Sequence, residues 1–472
     1  MFFVEAHSQT LQSRIDQLTS GTFYRHANIG ISVREVSTGS LIAEKQKDKM
    51  LIPASALKLI TTLSGLELLG EDFKFTTRIT YDGKLGSDGV LKGNIYIEGG
   101  GDPSLGSDRI PGVLTAGKLI RQITDDLLRA GIKCVEGNII ADESVFNSFP
   151  VSPSWQWNDL GNYYAAGAWG LNINENLYNV WFNRSGPVGS SSRIAYFEPK
   201  VPGLILENEV TIDSAHTGDN TYIFGGPYHY GKRVVGTIPQ GKDLYKVKGS
   251  LPDPPLFFAY SLLTEMEKRQ MGGHNYRTQY RPLKNQKSRK LISEYKSPDL
   301  KTIIRFTNDL SINIYAESIL KTLGKVKRKS GSGSEGIDVI KSNLKKHGLD
   351  IEPFNIEDGS GLSARNLMSP DLMAGFLAAY AKGKDTRLIR ELIPPAGERG
   401  TVRHLLANSR AKGRLWVKSG SMDNILTYAG YCQSSSGKLV AFAVFLNGST
   451  ADKPDKNKAE LENILEAIFR FS

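Results

Sequence analysis

The two ends of this chain carry the same kind of pattern, and that limits the folds open to it. Residues 28 to 45, NIGISVREVSTGSLIAEK, read as two strands joined by a Ser-Thr-Gly-Ser turn. Near the other end, RLWVKSGS, ILTYAGYCQ and KLVAFAVFLNG read as three more strands separated by turn residues, and KNKAELENILEAIFRF closes the chain as an amphipathic helix. Strands this apolar have to bury a face, so the pattern predicts one antiparallel sheet assembled from both ends. What lies between is then an insertion. Its texture differs: TTRITYDG, GNIYIEGGGDPSL and GNIIADESVF are strand-like and broken by glycine and proline turns, with one clear helix in TAGKLIRQITDDLLRAGI. Residues 155 to 260 are aromatic-rich and irregular, as a further small domain would be. Helical patterning returns near residue 297, and the basic GKVKRKSGSGSEG at 324 to 336 reads as a mobile loop.

A chain of 472 residues has room for two or three domains. Its 59 Lys and Arg against 49 Asp and Glu give a net charge of +10, which suits a polyanionic partner such as nucleic acid, an anionic membrane surface or the bacterial cell wall. There is no Walker loop, zinc-ligand cluster or RNA-binding aromatic signature, and the seven histidines lack metal-ligand spacing, so a nucleic-acid partner finds no module to bind it. No apolar run reaches the roughly 18 residues of a membrane span. The start, MFFVEAHSQ, is either an ordinary terminus or the tail of a signal peptide. Cys134 and Cys432 are either a disulfide or two unrelated buried thiols.

Chemistry enters with IPASALKLITTLSGLELL, residues 52 to 69. Leu57, Ile60, Leu63, Leu66 and Leu69 recur every third position, the stripe of a buried helix. Ser55 stands at its amino end, either as a cap or as a nucleophile with Lys58 on the same face. Spacing alone does not choose, because Ser293 and Lys296, Ser318 and Lys321, and Ser342 and Lys345 repeat it. Two further segments bear on the choice. NDLSINIYAES places Ser311 and Asn313 at the start of a helical stretch, and LWVKSGSMDN places Lys418, Ser419 and Gly420 at the end of a strand. The same triplet at Lys329-Ser330-Gly331 falls in the loop, where no strand aims the lysine. Ser-x-x-Lys, Ser-x-Asn and Lys-Ser-Gly, in that order, make up the set found in penicillin-binding proteins and β-lactamases.

With VLKGNIYIEGGGDPSL, GNIIADESVF, SWQWNDL, DGSGLSARNLMSP and AGERGTVRH beside that trio, the chain resembles, nearly end to end, the class C low-molecular-mass penicillin-binding proteins. These are D-alanyl-D-alanine carboxypeptidase/endopeptidases of the PBP4-like peptidase S13 family. The 256 residues from Ser55 to Ser311 are that family's mark, since β-lactamases on a similar core have a far shorter gap. The resemblance implies an α+β multidomain protein. Its β-lactamase/transpeptidase-like core, an antiparallel sheet flanked by helices, would come from residues 1–75 and 293–472, with a large strand-rich insertion of two domains over 76–292.

The resemblance also implies that Ser55 attacks the carbonyl between the last two D-alanines of a peptidoglycan stem peptide, forming an acyl-enzyme that water hydrolyses. Lys58 is then the general base, Ser311 relays a proton to the leaving amine, and Asn313 holds Lys58 and the substrate amide. Lys418 and Ser419 bind the terminal carboxylate, Gly420 allows close backbone approach, and the N–H groups of Ser55 and Ser421 form the oxyanion hole. In SWQWNDLGNYY, Asp159 either supports a turn or pairs with the ammonium of a diaminopimelate-type stem residue. No metal or organic cofactor is required, β-lactams are covalent inhibitors, and the setting is periplasmic or otherwise extracytoplasmic. Two departures are visible: Ala364 fills a position where the family often has arginine, with Arg365 following, and Ser419 replaces threonine. GGGDPSL is a structural turn rather than a phosphate loop. The rivals are a β-lactamase or esterase on the same core, and a silent peptidoglycan-binding or sensor protein; the intact Ser55, Lys58, Ser311, Asn313 and Lys418 argue against the latter. Labelled penicillin should be recovered on Ser55 and should not label Ser55→Ala; mass spectrometry finding it on Ser293, Ser318 or Ser342 would refute the assignment.

Overall fold

The structure is a computed structural model and describes residues 10–147, 149–281, 288–449 and 454–471; MFFVEAHSQ lies outside the described residues. Two compact units are present, one comprising 1–71, 301–312 and 336–472, the other 72–300 and 313–335.

The first unit is built on a five-stranded sheet in the order Leu415–Met422, Ile425–Gln433, Leu439–Asn447, Asn28–Glu35, Leu41–Lys45, every neighbour antiparallel. Alternation along the central strand decides which residues meet which helices. Val440, Phe442, Val444 and Leu446 point into a core shared with Leu11 and Ile15 of helix Leu11–Thr19 and Leu461, Ile464 and Ile468 of helix Pro454–Arg470. On the other face the small Ala441 and Ala443 let helix Pro370–Ala381 approach, and the Tyr431 hydroxyl donates to the Leu377 carbonyl at 2.8 Å. That helix starts where the sequence says it should, with Ser369 accepting from Leu372 N and Pro370 in the first turn. Asp371, one residue further, accepts from Ser32 Oγ at 2.7 Å and from Arg34 Nε and Nη2 at 2.9 and 2.7 Å, tying the helix to its strand. The antiparallel sheet with helices on both faces, read from the chain ends, is present.

The second unit holds a mixed five-stranded sheet in the order Asn275–Gln279, Asn138–Asp142, Ile95–Glu98, Thr76–Tyr81, Lys290–Lys296. Its core joins Ile79, Ile97 and Ile139 to Leu119 and Ile123 of helix Ala116–Arg129 and to Phe258 and Leu262 of helix Pro254–Lys268. Residues 155 to 260, irregular to the eye, contain two three-stranded sheets.

Two readings need correction or completion. The stretch 324–336 is not a mobile loop: helix Asn313–Arg328 runs into it, helix Gly333–Lys346 begins inside it, and Ser332 Oγ accepts from Glu335 N as that helix's cap. The lysines and arginine that suggested a loop are the solvated last turn of the first helix, where cations are favoured. Both cysteines are free; Cys134 is partly exposed and Cys432 buried, its thiol pushed up to about 12 chiefly by that burial. Among the described residues no helix is long and apolar enough to cross a membrane.

Candidate active site

Ser55 does not cap a helix. Ala54–Leu57 forms a 3-10 turn, the α-helix Lys58–Leu69 follows, and neither start has a side-chain cap. Ala54 adopts φ +44°, left-handed backbone that a residue with a Cβ rarely holds unless its surroundings impose it. The imposing groups are backbone. A Cβ on Gly420 would lie 2.7 Å from Ser55 N and 2.8 Å from Pro53 O, and one on Gly361 would lie 2.0 Å from Ala54 O. Thr427, on the neighbouring strand, donates to Pro53 O at 2.7 Å. The turn is therefore clamped between strand Leu415–Met422 and the loop at 358–361. Within it Ser55 is partly exposed, and its Oγ accepts from the fully buried Lys58 Nζ at 2.9 Å.

The loop has a second task. The buried Asp358 carboxylate accepts from Gly361 N at 2.8 Å, Ser363 N at 2.6 Å and Asn366 Nδ2 at 2.8 Å. So anchored, it presents the Ser360 carbonyl to Lys58 Nζ at 2.6 Å and the Gly359 carbonyl to Thr61 Oγ1 at 2.7 Å. A buried amine needs such acceptors to be tolerated.

Lys418 is the second buried amine, donating to Ser419 O at 2.6 Å. Burial first, and then the Lys58 ammonium, hold it well below the usual lysine range, with Asp309 pulling the other way. Asp309 is itself held by Arg399 Nε at 3.1 Å. Beside Lys418, Ser419 Oγ lies 2.8 Å from Thr401 Oγ1, so two hydroxyls stand at one strand edge, and Ser421 is exposed further along. Ser311 follows two residues after Asp309, partly exposed, at φ +57°.

The remaining two sequence candidates lie in the second unit, which begins again at Asn313. Asn313 Nδ2 donates to the Tyr164 carbonyl at 2.8 Å, and the Tyr164 hydroxyl donates to Asp159 Oδ1 at 3.1 Å. Asp159 sits in a turn, its N–H bonded to Gln156 O and its carbonyl to Asn162 N. Trp155 is buried and Trp157 is 61% exposed, so the two tryptophans do not share one environment.

The look-alike pairs separate cleanly. Lys321 is buried and pushed down to about 8 by that burial, yet its amine is directed to Phe149 O and Ala168 O. Ser293 lies on a strand, and Ser342 donates to Asp338 O. The segments around Asp358, Ser360, Arg399 and Thr401 carry the family resemblance, but nothing in the sequence alone assigns those residues a role. The Asp-Gly-Ser-Gly run was the available signal, since it marks a tight turn with a carboxylate to anchor it.

The model of the D-Ala-D-Ala carboxypeptidase 3 (S13) family matches residues 11–468. The chain belongs to that family. It is a serine-type D-alanyl-D-alanine carboxypeptidase of the penicillin-binding group. The D-alanyl-D-alanine carboxypeptidase DacB of Haemophilus influenzae is 26% identical over 450 residues, 92% of this chain and 88% of the relative. The D-alanyl-D-alanine carboxypeptidase of Actinomadura sp. strain R39 is 24% identical, covering 94% of this chain and 82% of the relative. The crystal structure of penicillin binding protein 4 from Haemophilus influenzae superposes with a TM-score of 0.82 at 22% identity, over 96% of this chain and 98% of that one, which shows the common fold.

The depressed Lys418 amine fixes a pH dependence. Raising pH removes a proton from the lysine pair, and a neutral amine is what can accept the serine proton, so acylation should rise with pH. Its limb should have a midpoint below the ordinary lysine value of about 10.4. Asp309→Asn, which removes the charge favouring the ammonium, should move that limb to lower pH. Penicillin acylation rates measured across pH check both, and a limb at or above the ordinary value would contradict the arrangement.

Proposed function

We propose that Ser55 is the nucleophile that opens the terminal D-Ala-D-Ala bond of peptidoglycan stem peptides, and that the same hydroxyl is acylated by β-lactams. The observation that carries the reading is the 2.9 Å bond between Ser55 Oγ and the buried Lys58 Nζ, with a second buried lysine beside it. Lys58, as the neutral amine, takes the Ser55 proton while Oγ attacks the carbonyl carbon. The developing oxyanion is met by the N–H groups of Ser55 and Ser421. Ser311 passes a proton to the departing D-alanine amine, and water then releases the acyl group and regenerates Ser55. Lys418, with the Ser419 and Thr401 hydroxyls, receives the terminal carboxylate, and these donors fix the peptide's register. Asn313 is assigned to the substrate amide. Such a substrate places the enzyme outside the cytoplasm, in the periplasm of a cell that has one.

Asp159 is assigned to the free ammonium of a diaminopimelate-type stem residue. The support is its tie, through Tyr164, to the motif residue Asn313. Turnover separates this enzyme from a β-lactamase on the same core: it stays acylated by penicillin, whereas a β-lactamase releases the product.

Lys58→Ala should slow acylation by about 10²- to 10⁴-fold while the fold persists, since that is the usual cost of losing a general base. An unchanged rate in stopped-flow measurements removes Lys58 from the mechanism. Asp159→Asn should lower kcat/KM on peptides bearing the free amine more than on amine-capped ones, and leave penicillin acylation nearly unchanged; an equal loss on both peptides would make Asp159 a support of the fold only.

A further inference from the structure

The second unit contains a cavity of about 410 Å³, inside the usual range of small-ligand sites. None of the residues assigned above lines it. Phe257 and Tyr260 reach it from helix Pro254–Lys268, Tyr276 from strand Asn275–Gln279, and Tyr230 from the residue before strand Gly231–Pro239. Regular elements thus fix the rings, and Tyr260 and Tyr276 stand edge to face with centroids 5.5 Å apart. All three tyrosines are half-buried, and among the described residues no group hydrogen-bonds their hydroxyls. Burial, and then the charge of Asp253, hold the Tyr230 phenol well above its ordinary value, so it remains a neutral donor. Asp253 caps the helix through Leu256 N at 2.9 Å, while its other oxygen receives the Tyr280 hydroxyl at 3.3 Å, long for such a bond.

A pocket for an alkyl chain has no use for three phenols that no group among the described residues hydrogen-bonds. Tyrosine faces with free hydroxyls suit a ligand that combines a flat C–H face with a rim of hydroxyl or amide groups, which describes a pyranose. Its axial C–H bonds, slightly positive, lie on the negative face of an aromatic ring, and its rim groups meet the phenols. We propose that this cavity binds a pyranose unit of a glycan strand. The choice of glycan rests on the reading of the enzyme as a peptidoglycan peptidase, since the stem peptides hang from that polymer. A glycan held here keeps further stem peptides at a high effective concentration without adding a contact at the scissile bond.

The test titrates the full chain with glycan strands stripped of their peptides, by calorimetry. Wild type should bind, and the double variant Tyr260→Ala/Tyr276→Ala should bind about tenfold more weakly or worse, the cost of truncating a central aromatic contact. Circular dichroism and penicillin acylation of Ser55 should be unchanged in that variant. Tyr230→Phe, which removes a hydroxyl and no ring, gives a second readout if the double variant fails to fold, and it too should bind more weakly. No binding by wild type, equal binding by wild type and the folded variants, or displacement of the glycan by myristate would overturn the proposal. Retained glycan binding in a chain that penicillin does not acylate would support it while counting against the Ser55 reading.

Discussion

Two lysine amines buried beside one partly exposed serine are the constraint that the catalytic unit is arranged around. Removing an ammonium from water costs several kcal/mol even after relaxation, by rough estimate, unless acceptors replace the solvent, and two of them repel as well. The surroundings answer on both counts. The Ser360 carbonyl takes Lys58 and the Ser419 carbonyl takes Lys418, while Asp309 supplies an opposing charge to the second amine. These acceptors must be rigid, and each is. Ser360 lies on a loop pinned by three bonds to Asp358, Ser419 lies on a sheet strand, and Asp309 is fixed by Arg399.

That arrangement explains why the serine turn is strained. The left-handed Ala54 costs on the order of 1–3 kcal/mol and would relax if the chain were free. Gly361 and Gly420 prevent it by bringing backbone to within contact of Ala54 and Ser55, distances at which no other residue fits. The requirement for glycine at 420 thus comes from the serine turn as much as from any substrate. Strain at Ala54 is held in place by the backbone of Gly361 and Gly420 and by the bond from Thr427 to Pro53 O.

Much of this was legible because the signals were periodic or local. Alternating strands at 28–45 and 415–447 declare the sheet, the stripe from Leu57 to Leu69 declares the helix, and both survive in the structure. What escaped reading depends on contacts between segments hundreds of residues apart. Ser55 looked able to cap its helix, and only the clamp from 361 and 420 shows that its hydroxyl faces Lys58 instead. The stretch 324–336 failed for the opposite reason. Its basic and glycine-rich composition is the same for a loop and for a solvated helix end followed by a new cap, and the tie of Gly331 O to Asn147 N, which fixes the short connection, is not local. The aromatic-rich 155 to 260 was opaque because short strands in small sheets leave too few repeats to show a period.

The pair Ser318 and Lys321 shows what makes a motif chemical rather than compositional. It has the same residues at the same spacing as Ser55 and Lys58, on a helix, with both side chains buried and the amine depressed by that burial. The difference is position in the element. Ser318 sits five residues into a regular helix with its Oγ fully buried, and Lys321 extends to two carbonyls outside that helix. Ser55 sits in a 3-10 turn before its helix, where the tighter winding brings i and i+3 nearly into register and leaves the hydroxyl partly open. A lysine three residues after a serine meets its hydroxyl where the backbone is wound this way, and here the amine bonds both Ser55 Oγ and Ser360 O.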